Sequence, residues 1–151
     1  MIEKEKKYLL KHLPEHVHST FYKVIKQAYL MLEDGKQLRV RIVDDKEAFI
    51  CFKIHLNSSH KNEFEYPIPL NDAFELWDST DIKLIKKRYS FEMWKLHYDL
   101  DIYENGLQII EVEYQDEKDL VNLGKFCGIE ITGEKEYSNI WLAKNVLKHK
   151  I

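Results

Sequence analysis

The segment Gln37-Leu38-Arg39-Val40-Arg41-Ile42-Val43 alternates polar and apolar side chains without a break. In extended backbone, successive side chains leave opposite faces, so this run reads as a strand with one charged and one apolar side. The same alternation recurs to about Tyr114 and predicts strands over 2–10, 23–32, 37–43, 47–55, 62–68, 82–91, 95–103 and 106–114. Asp34-Gly35 and Asn105-Gly106 separate neighbouring runs, and both pairs tolerate the positive φ of tight hairpin turns. Antiparallel pairing follows.

Helical patterning is sparser. Pro69-Leu70-Asn71-Asp72 opens a helix over about 71–78, and Asp116 to Phe126 reads as a second, with acids in its first turn. Ser138 caps a third, whose apolar face is Ile140, Trp141, Ala143, Val146 and Leu147. The expected product is an α+β, mainly antiparallel β protein.

A chain of 151 residues is expected to form one domain over 1–151 with one sizeable core. Its 44% hydrophobic and 32% charged content fits a soluble globular protein, and no run approaches the roughly 20 apolar residues of a membrane span. Charged residues follow Met1 where a signal peptide would be apolar, so the expected location is cytoplasmic and no membrane partner is implied. Cys51 and Cys127 form no C-x-x-C pair and read as free buried thiols. A net charge of −3 lacks the basic excess that drives non-specific nucleic-acid binding.

Strand parity sorts the charges. One side collects Glu3, Glu5, Lys7, Arg39, Arg41, Lys53, Glu63, Glu65, Lys86, Arg88, Asp99, Asp101, Glu111 and Glu113: eight acids and six bases. The opposite side carries Leu38, Val40, Ile42, Ile50, Phe52, Leu100, Ile110 and Val112. An open sheet with one solvated face would alternate in the same way. The charged side, however, holds almost no Ser, Thr, Asn or Gln, which a solvent face does not require. If the sheet closes into a barrel, these charges line its lumen and need partners, because an uncompensated buried charge costs several kcal/mol. Clustered carboxylates attract a divalent cation and clustered Arg and Lys attract phosphate oxygens, so the pattern points to a polyphosphate with metal.

The ordered set E-x-E-x-K at 3–7, R-V-R at 39–41, Lys53, E-F-E at 63–65, K-K-R at 86–88, Asp101 and E-V-E at 111–113 resembles the CYTH domain of the triphosphate tunnel metalloenzymes. The closing stretch ITGEKEYSNIWLAK, 131–144, is similar too. The resemblance implies an eight-stranded closed tunnel barrel with a charged lumen and helices packed outside. It also implies metal-dependent hydrolysis of inorganic triphosphate to pyrophosphate and phosphate. Glu3, Glu5, Glu111 and Glu113 would hold Mg²⁺ or Mn²⁺, while Lys7, Arg39, Arg41, Lys53, Lys86 and Arg88 would bind phosphate. Glu5 would contact the attacking water and Lys86 would donate to the departing pyrophosphate. Glu63, Glu65 and Asp101 would orient the basic residues; Asp99 has lumen parity without an assigned task.

Thiamine triphosphatase, nucleoside triphosphatase and class IV adenylate cyclase are alternatives on the same fold. A non-catalytic polyphosphate- or nucleotide-binding module is an alternative of another class, and a barrel whose charges merely face water is a third. The expected partner is a small triphosphate, with the protein a monomer or homodimer. Of the remaining features, His12, His16 and His18 read as a polar linker rather than a zinc site, and Tyr29 as an ordinary strand aromatic, with a substrate contact as its alternative. Trp77, Trp94 and Trp141 read as packing residues, whereas Lys135, Tyr137 and Asn139 lie where a C-terminal helix would cap one tunnel mouth.

Overall fold

The computed structural model describes residues 2–19, 21–57, 59–121, 123–145 and 147; the side chains of Ile2, Glu3, His18 and Ser19 fall outside that description. Nine strands form: β1 (Ile2–Leu10), β2 (Tyr22–Glu33), β3 (Lys36–Val43), β4 (Glu47–His55), β5 (His60–Pro67), β6 (Lys83–Met93), β7 (Leu96–Tyr103), β8 (Gln108–Glu113) and β9 (Cys127–Glu130). Two α-helices accompany them, α1 (Leu70–Asp78) and α2 (Asn139–Asn145). Among the described residues, no helix is long and apolar enough to cross a membrane.

The strand order is β5-β4-β3-β2-β6-β7-β8-β1, and β5 also pairs with β1, so eight strands close into a ring. Closure rests on three registered pairs: Ile2 with Asn62, Glu3 with Lys61, and Lys4 with His60. Where β5 leaves β1, β9 takes its place: Tyr8 pairs with Glu130 and Leu10 with Cys127. Hairpins join most neighbours, with Gly35 at φ 71° and Gly106 at φ 88° as the sequence requires. Two other hairpins turn through non-glycine residues in the left-handed region, Asp44-Asp45 and Trp94-Lys95. Trp94 is held there by stacking on Phe126, 5.5 Å between centroids.

The stretch 116–126 is not one helix. It forms two short 3-10 turns, Glu117–Asp119 and Leu123–Lys125, and then runs into β9. Asp116 caps the first turn by accepting from the Lys118 amide, 3.0 Å. The apolar residues Leu120, Leu123 and Phe126 recur every three positions, the period of a 3-10 turn rather than an α-helix, and they pack together on one core cluster.

Apolar parity supplies the outer cores. α1 lays buried Ala73 over Ala28, Val40, Ile42 and Ala48. α2 is placed differently: Leu142, Ala143 and Leu147 pack with Tyr29, Leu84, Tyr103 and Ile109, whose parity is that of the lumen charges. One end of the lumen is therefore apolar and stopped by α2, while α1 lies against the outer wall, as do Val17, Leu123 and Phe126.

Candidate active site

The charged residues converge on one cavity of about 540 Å³. Most of its bases and acids come from different arcs of the ring, while β1 and β5 contribute both signs. Arg41 and Arg39 project from β3, Lys53 from β4 and Arg88 from β6; Asp99 projects from β7, Glu111 and Glu113 from β8, and Glu5 from β1. In the eight-strand order β3 and β8 lie four places apart, so the β3 arginines face the β8 glutamates across the lumen.

The carboxylates of the basic arc hold the arginines in place. Arg39 Nη2 donates to Glu63 Oε1 at 2.8 Å, and Arg41 Nη1 lies 3.6 Å from Glu65. Arg88 forks onto Asp101, Nε to Oδ1 at 2.7 Å and Nη2 to Oδ2 at 2.8 Å. Asp99, to which the sequence assigned no task, lies 3.5 Å from Arg88 and accepts from Ser90 Oγ at 2.6 Å. Among the described residues Arg39 Nε finds no hydrogen-bond partner although it is buried. Burial first, then the neighbouring Arg39 and Arg88 charges, push the Arg41 guanidinium down to about 10. Burial with Arg39 and Lys61 likewise holds Lys53 well below the usual lysine range. These cations repel one another in the absence of an anion.

The acidic arc shows the mirror condition. Glu5 on β1 stands in register with Glu113 on β8, and Asp99 on β7 with Glu111. Like charges placed directly opposite destabilise a sheet. Burial and the Glu111 carboxylate raise the pKa of Glu5. Burial pushes Glu111 up too, but Lys7, Arg88, Lys61 and Lys86 outweigh it and hold that carboxyl well below its usual range. Lys7 Nζ lies 3.9 Å from Glu111, and Lys61 Nζ donates to Glu5.

Lys86 departs from its expected place. It is 1% exposed, its Nζ donates to Asp101 at 2.7 Å, and it lies beneath the cavity wall rather than on it. It holds Asp101 together with Arg88. Burial drives its ammonium down to about 7 despite the Asp101 partner, whose charge Arg88 shares.

No profile of a known protein family matches the chain. A curated relative, the inorganic triphosphatase of Acetivibrio thermocellus, is 32% identical over 129 residues, 82% of each chain. The chain belongs to the CYTH family of triphosphate tunnel metalloenzymes. Structural likeness to other proteins agrees with this CYTH fold. The crystal structure of the hypothetical protein NE1496 matches with TM-score 0.65 and 26% identity, over 93% of this chain and 97% of that one. A conserved hypothetical protein of Pyrococcus furiosus matches at 0.66, with 18% identity over 82% and 88%. A putative adenylate cyclase of Vibrio parahaemolyticus shares the fold at 0.55, with 15% identity over 83% of each chain.

The acidic arc of this CYTH barrel suits a hard divalent cation. Glu5, Glu111 and Glu113 offer only oxygen donors, and a cation between them would relieve the registered carboxylate repulsion. Glu3 shares their strand face, but its side chain lies outside the described residues. Among the described residues, the one set of three candidate ligands whose atoms already lie within 4.8 Å of one another is a different one, Cys51 with Glu63 and Glu65, and it has another cause. Glu63 and Glu65 are gathered there by Arg39 and Arg41, and burial pushes the Cys51 thiol up to about 11, so it stays neutral and donates to Glu63 at 3.2 Å. Cys51 is thus a wall residue and a poor ligand for such an ion.

Several residues at or behind the cavity wall were not singled out in the sequence. Lys61 has the parity of Glu63, but the predicted strand began one residue too late to include it. Gln37 and His55 border the cavity from the ends of β3 and β4, and burial with the Lys53 and Lys61 charges pushes His55 down to about 4. Gln27 shares parity with Tyr29 and pairs with Arg41, although it bears no charge to draw notice.

Proposed function

We propose that the protein hydrolyses inorganic triphosphate to pyrophosphate and phosphate, with Mg²⁺ or Mn²⁺ held by Glu5, Glu111 and Glu113, joined by Glu3. The observation that carries this reading is the crowding of like charge that remains after the ion pairs are made. Neighbouring cations depress Arg41 and Lys53, while Glu5 is raised beside Glu111 and stands opposite Glu113, and a polyanion bridged by a divalent cation would relieve both. The printed activity of the curated relative points the same way.

In this reading Arg39, Arg41, Lys53 and Arg88 bind the phosphoryl oxygens and offset charge developing on the leaving pyrophosphate. Glu63, Glu65 and Asp101 preset the three guanidinium forks, so little reorganisation remains when substrate binds. Lys7, between Glu111 and the Tyr137 carbonyl at 3.5 Å, reaches the phosphate from the acidic side. Glu5, on the acidic side of the cavity, contacts and orients the attacking water. The divalent cation supplies Lewis-acid neutralisation of phosphoryl charge.

Substrate choice follows from what the cavity offers a base or a thiazole. Among the described residues no Trp or Phe lines it, and Tyr29 is its only tyrosine, 2% exposed. Trp77 packs with Lys83, Trp94 on Phe126 and Trp141 in the apolar stop. A bare phosphate chain therefore fits better than a nucleoside or thiamine ester. The test is phosphate release from triphosphate, pyrophosphate, ATP, thiamine triphosphate and long-chain polyphosphate with each metal. Fastest, chelator-sensitive release from triphosphate is expected; binding without turnover would make the protein a polyphosphate-binding module instead.

A further inference from the structure

Gln27 is an uncharged side chain in the wall of a charged lumen, and it is 0% exposed. It lies on β2 opposite Arg41 of β3 and two residues before Tyr29, on the same inward face. Arg41 Nε donates to Gln27 Oε1 at 3.2 Å, and Gln27 Nε2 donates to the Tyr29 hydroxyl at 3.0 Å.

The direction of this relay is forced. A guanidinium can only donate, so the amide oxygen must face Arg41 and the amide nitrogen must face Tyr29. That nitrogen has only protons to offer, so the phenol oxygen accepts there. Its own proton is turned elsewhere, and Tyr29 borders the cavity. We propose that Gln27 is a positioning residue that anchors Arg41 through Nε and makes Tyr29 a hydrogen-bond donor to a phosphoryl oxygen. The proposal rests on the triphosphate reading above and adds two parts to it. Arg41 presents its terminal nitrogens rather than Nε to the ligand, and the wall gains a neutral donor among its cations.

Glutamate and leucine at position 27 separate these effects. Gln27→Glu still accepts from Arg41 but has no proton for Tyr29, so the phenol reverses and donates into the wall. Gln27→Leu removes both bonds. With inorganic triphosphate as the probe in calorimetric titration, Gln27→Glu should bind about tenfold more weakly, the scale of one hydrogen bond to a charged group. Its melting temperature should remain near that of the wild type. Because the new carboxylate also repels the phosphate chain directly, the double variant isolates the relay: Gln27→Glu should cost clearly less affinity in a Tyr29→Phe background than in the wild type. Wild-type affinity in Gln27→Glu, or additive losses in the double variant, would overturn the relay.

The Arg41 Nε–H resonance of the ligand-free protein tests the same geometry without substrate. It should be slow to exchange in the wild type and lost in Gln27→Leu; an unchanged signal would overturn the anchoring of Arg41. Failure of the wild-type protein to bind triphosphate at all would overturn the functional reading and the donor role of Tyr29 with it. The resonance would still decide whether Gln27 holds Arg41.

Discussion

Glu5 and Glu113 face each other across the β1–β8 ladder, two carboxylates in direct register. Such a pair costs a metal-free sheet about 0.2–1 kcal/mol. Glu113→Gln should therefore raise the melting temperature in chelator, abolish the extra stabilisation that Mg²⁺ or Mn²⁺ gives the wild type, and cut phosphate release by about 100-fold or more. Thermal melts with and without metal, run beside a turnover assay, check all three. Retention of the metal-induced shift would remove Glu113 from the ion's ligands.

Arg39→Ala removes the Nη2 donor that Glu63 accepts and the unpartnered Nε beside it. The expected result is a KM for triphosphate raised about 10- to 100-fold. Arg39→Lys should fall between, because a point charge keeps the attraction without the two-pronged geometry. Steady-state kinetics decides this, and an unchanged KM in Arg39→Ala would place Arg39 outside the phosphate set.

Lys86 gives a pH dependence of known sign. Its pKa is lowered from 10.5 to about 7 in the folded chain. Between those values the unfolded chain binds the extra proton, so folding stability rises as pH climbs through this window. Lys86→Met keeps the volume and leaves Asp101 with its Arg88 fork, so it should be neutral or stabilising at pH 7. It should also flatten the rise, a change on the order of a few kcal/mol between pH 7 and 10. Urea unfolding at several pH values compares the two slopes; parallel curves would show that Lys86 does not titrate there.

Gly128 lies where β9 docks on β1, and a Cβ built there would meet the Leu9 carbonyl oxygen at 2.9 Å. The obstacle is backbone in a ladder, with little room to yield. Gly128→Ala should cost about 1–3 kcal/mol and loosen β9 from β1. Denaturant unfolding and amide exchange at Lys11, whose N–H donates to the Phe126 carbonyl at 2.8 Å, report the two effects.

Strand content was legible because a side chain's face is set by parity alone, and parity survives any strand order. Leu38-Arg39-Val40-Arg41 reads the same wherever β3 sits in the ring. The turns at Asp44-Asp45 and Trp94-Lys95 left a weaker trace, since neither uses the glycine that usually signals positive φ. The false helix at 116–126 arose because acids in a first turn favour α and 3-10 geometry alike, and β9 depends on a gap in the β1 edge that only the tertiary structure creates. The site divides similarly. Parity brings Glu5, Arg39, Arg41, Arg88 and Glu111 to one cavity, but it cannot show that Lys86 stops short of it. That depends on depth within the wall, which alternation does not encode.

The opposition of β3 to β8 has an electrostatic consequence beyond the individual pairs. Asp99, Glu111 and Glu113 stand on β7 and β8 opposite Arg39 and Arg41 of β3, so the field between these strands runs across the barrel rather than along it, while β1 and β5 carry charges of both signs. In the triphosphate reading, a linear phosphate chain lying against the β3 arginines would change its energy little by sliding along the axis. Its register, and hence which anhydride bond is presented, would then fall to a mechanical stop: the apolar end packed by Leu142 and Ala143 of α2.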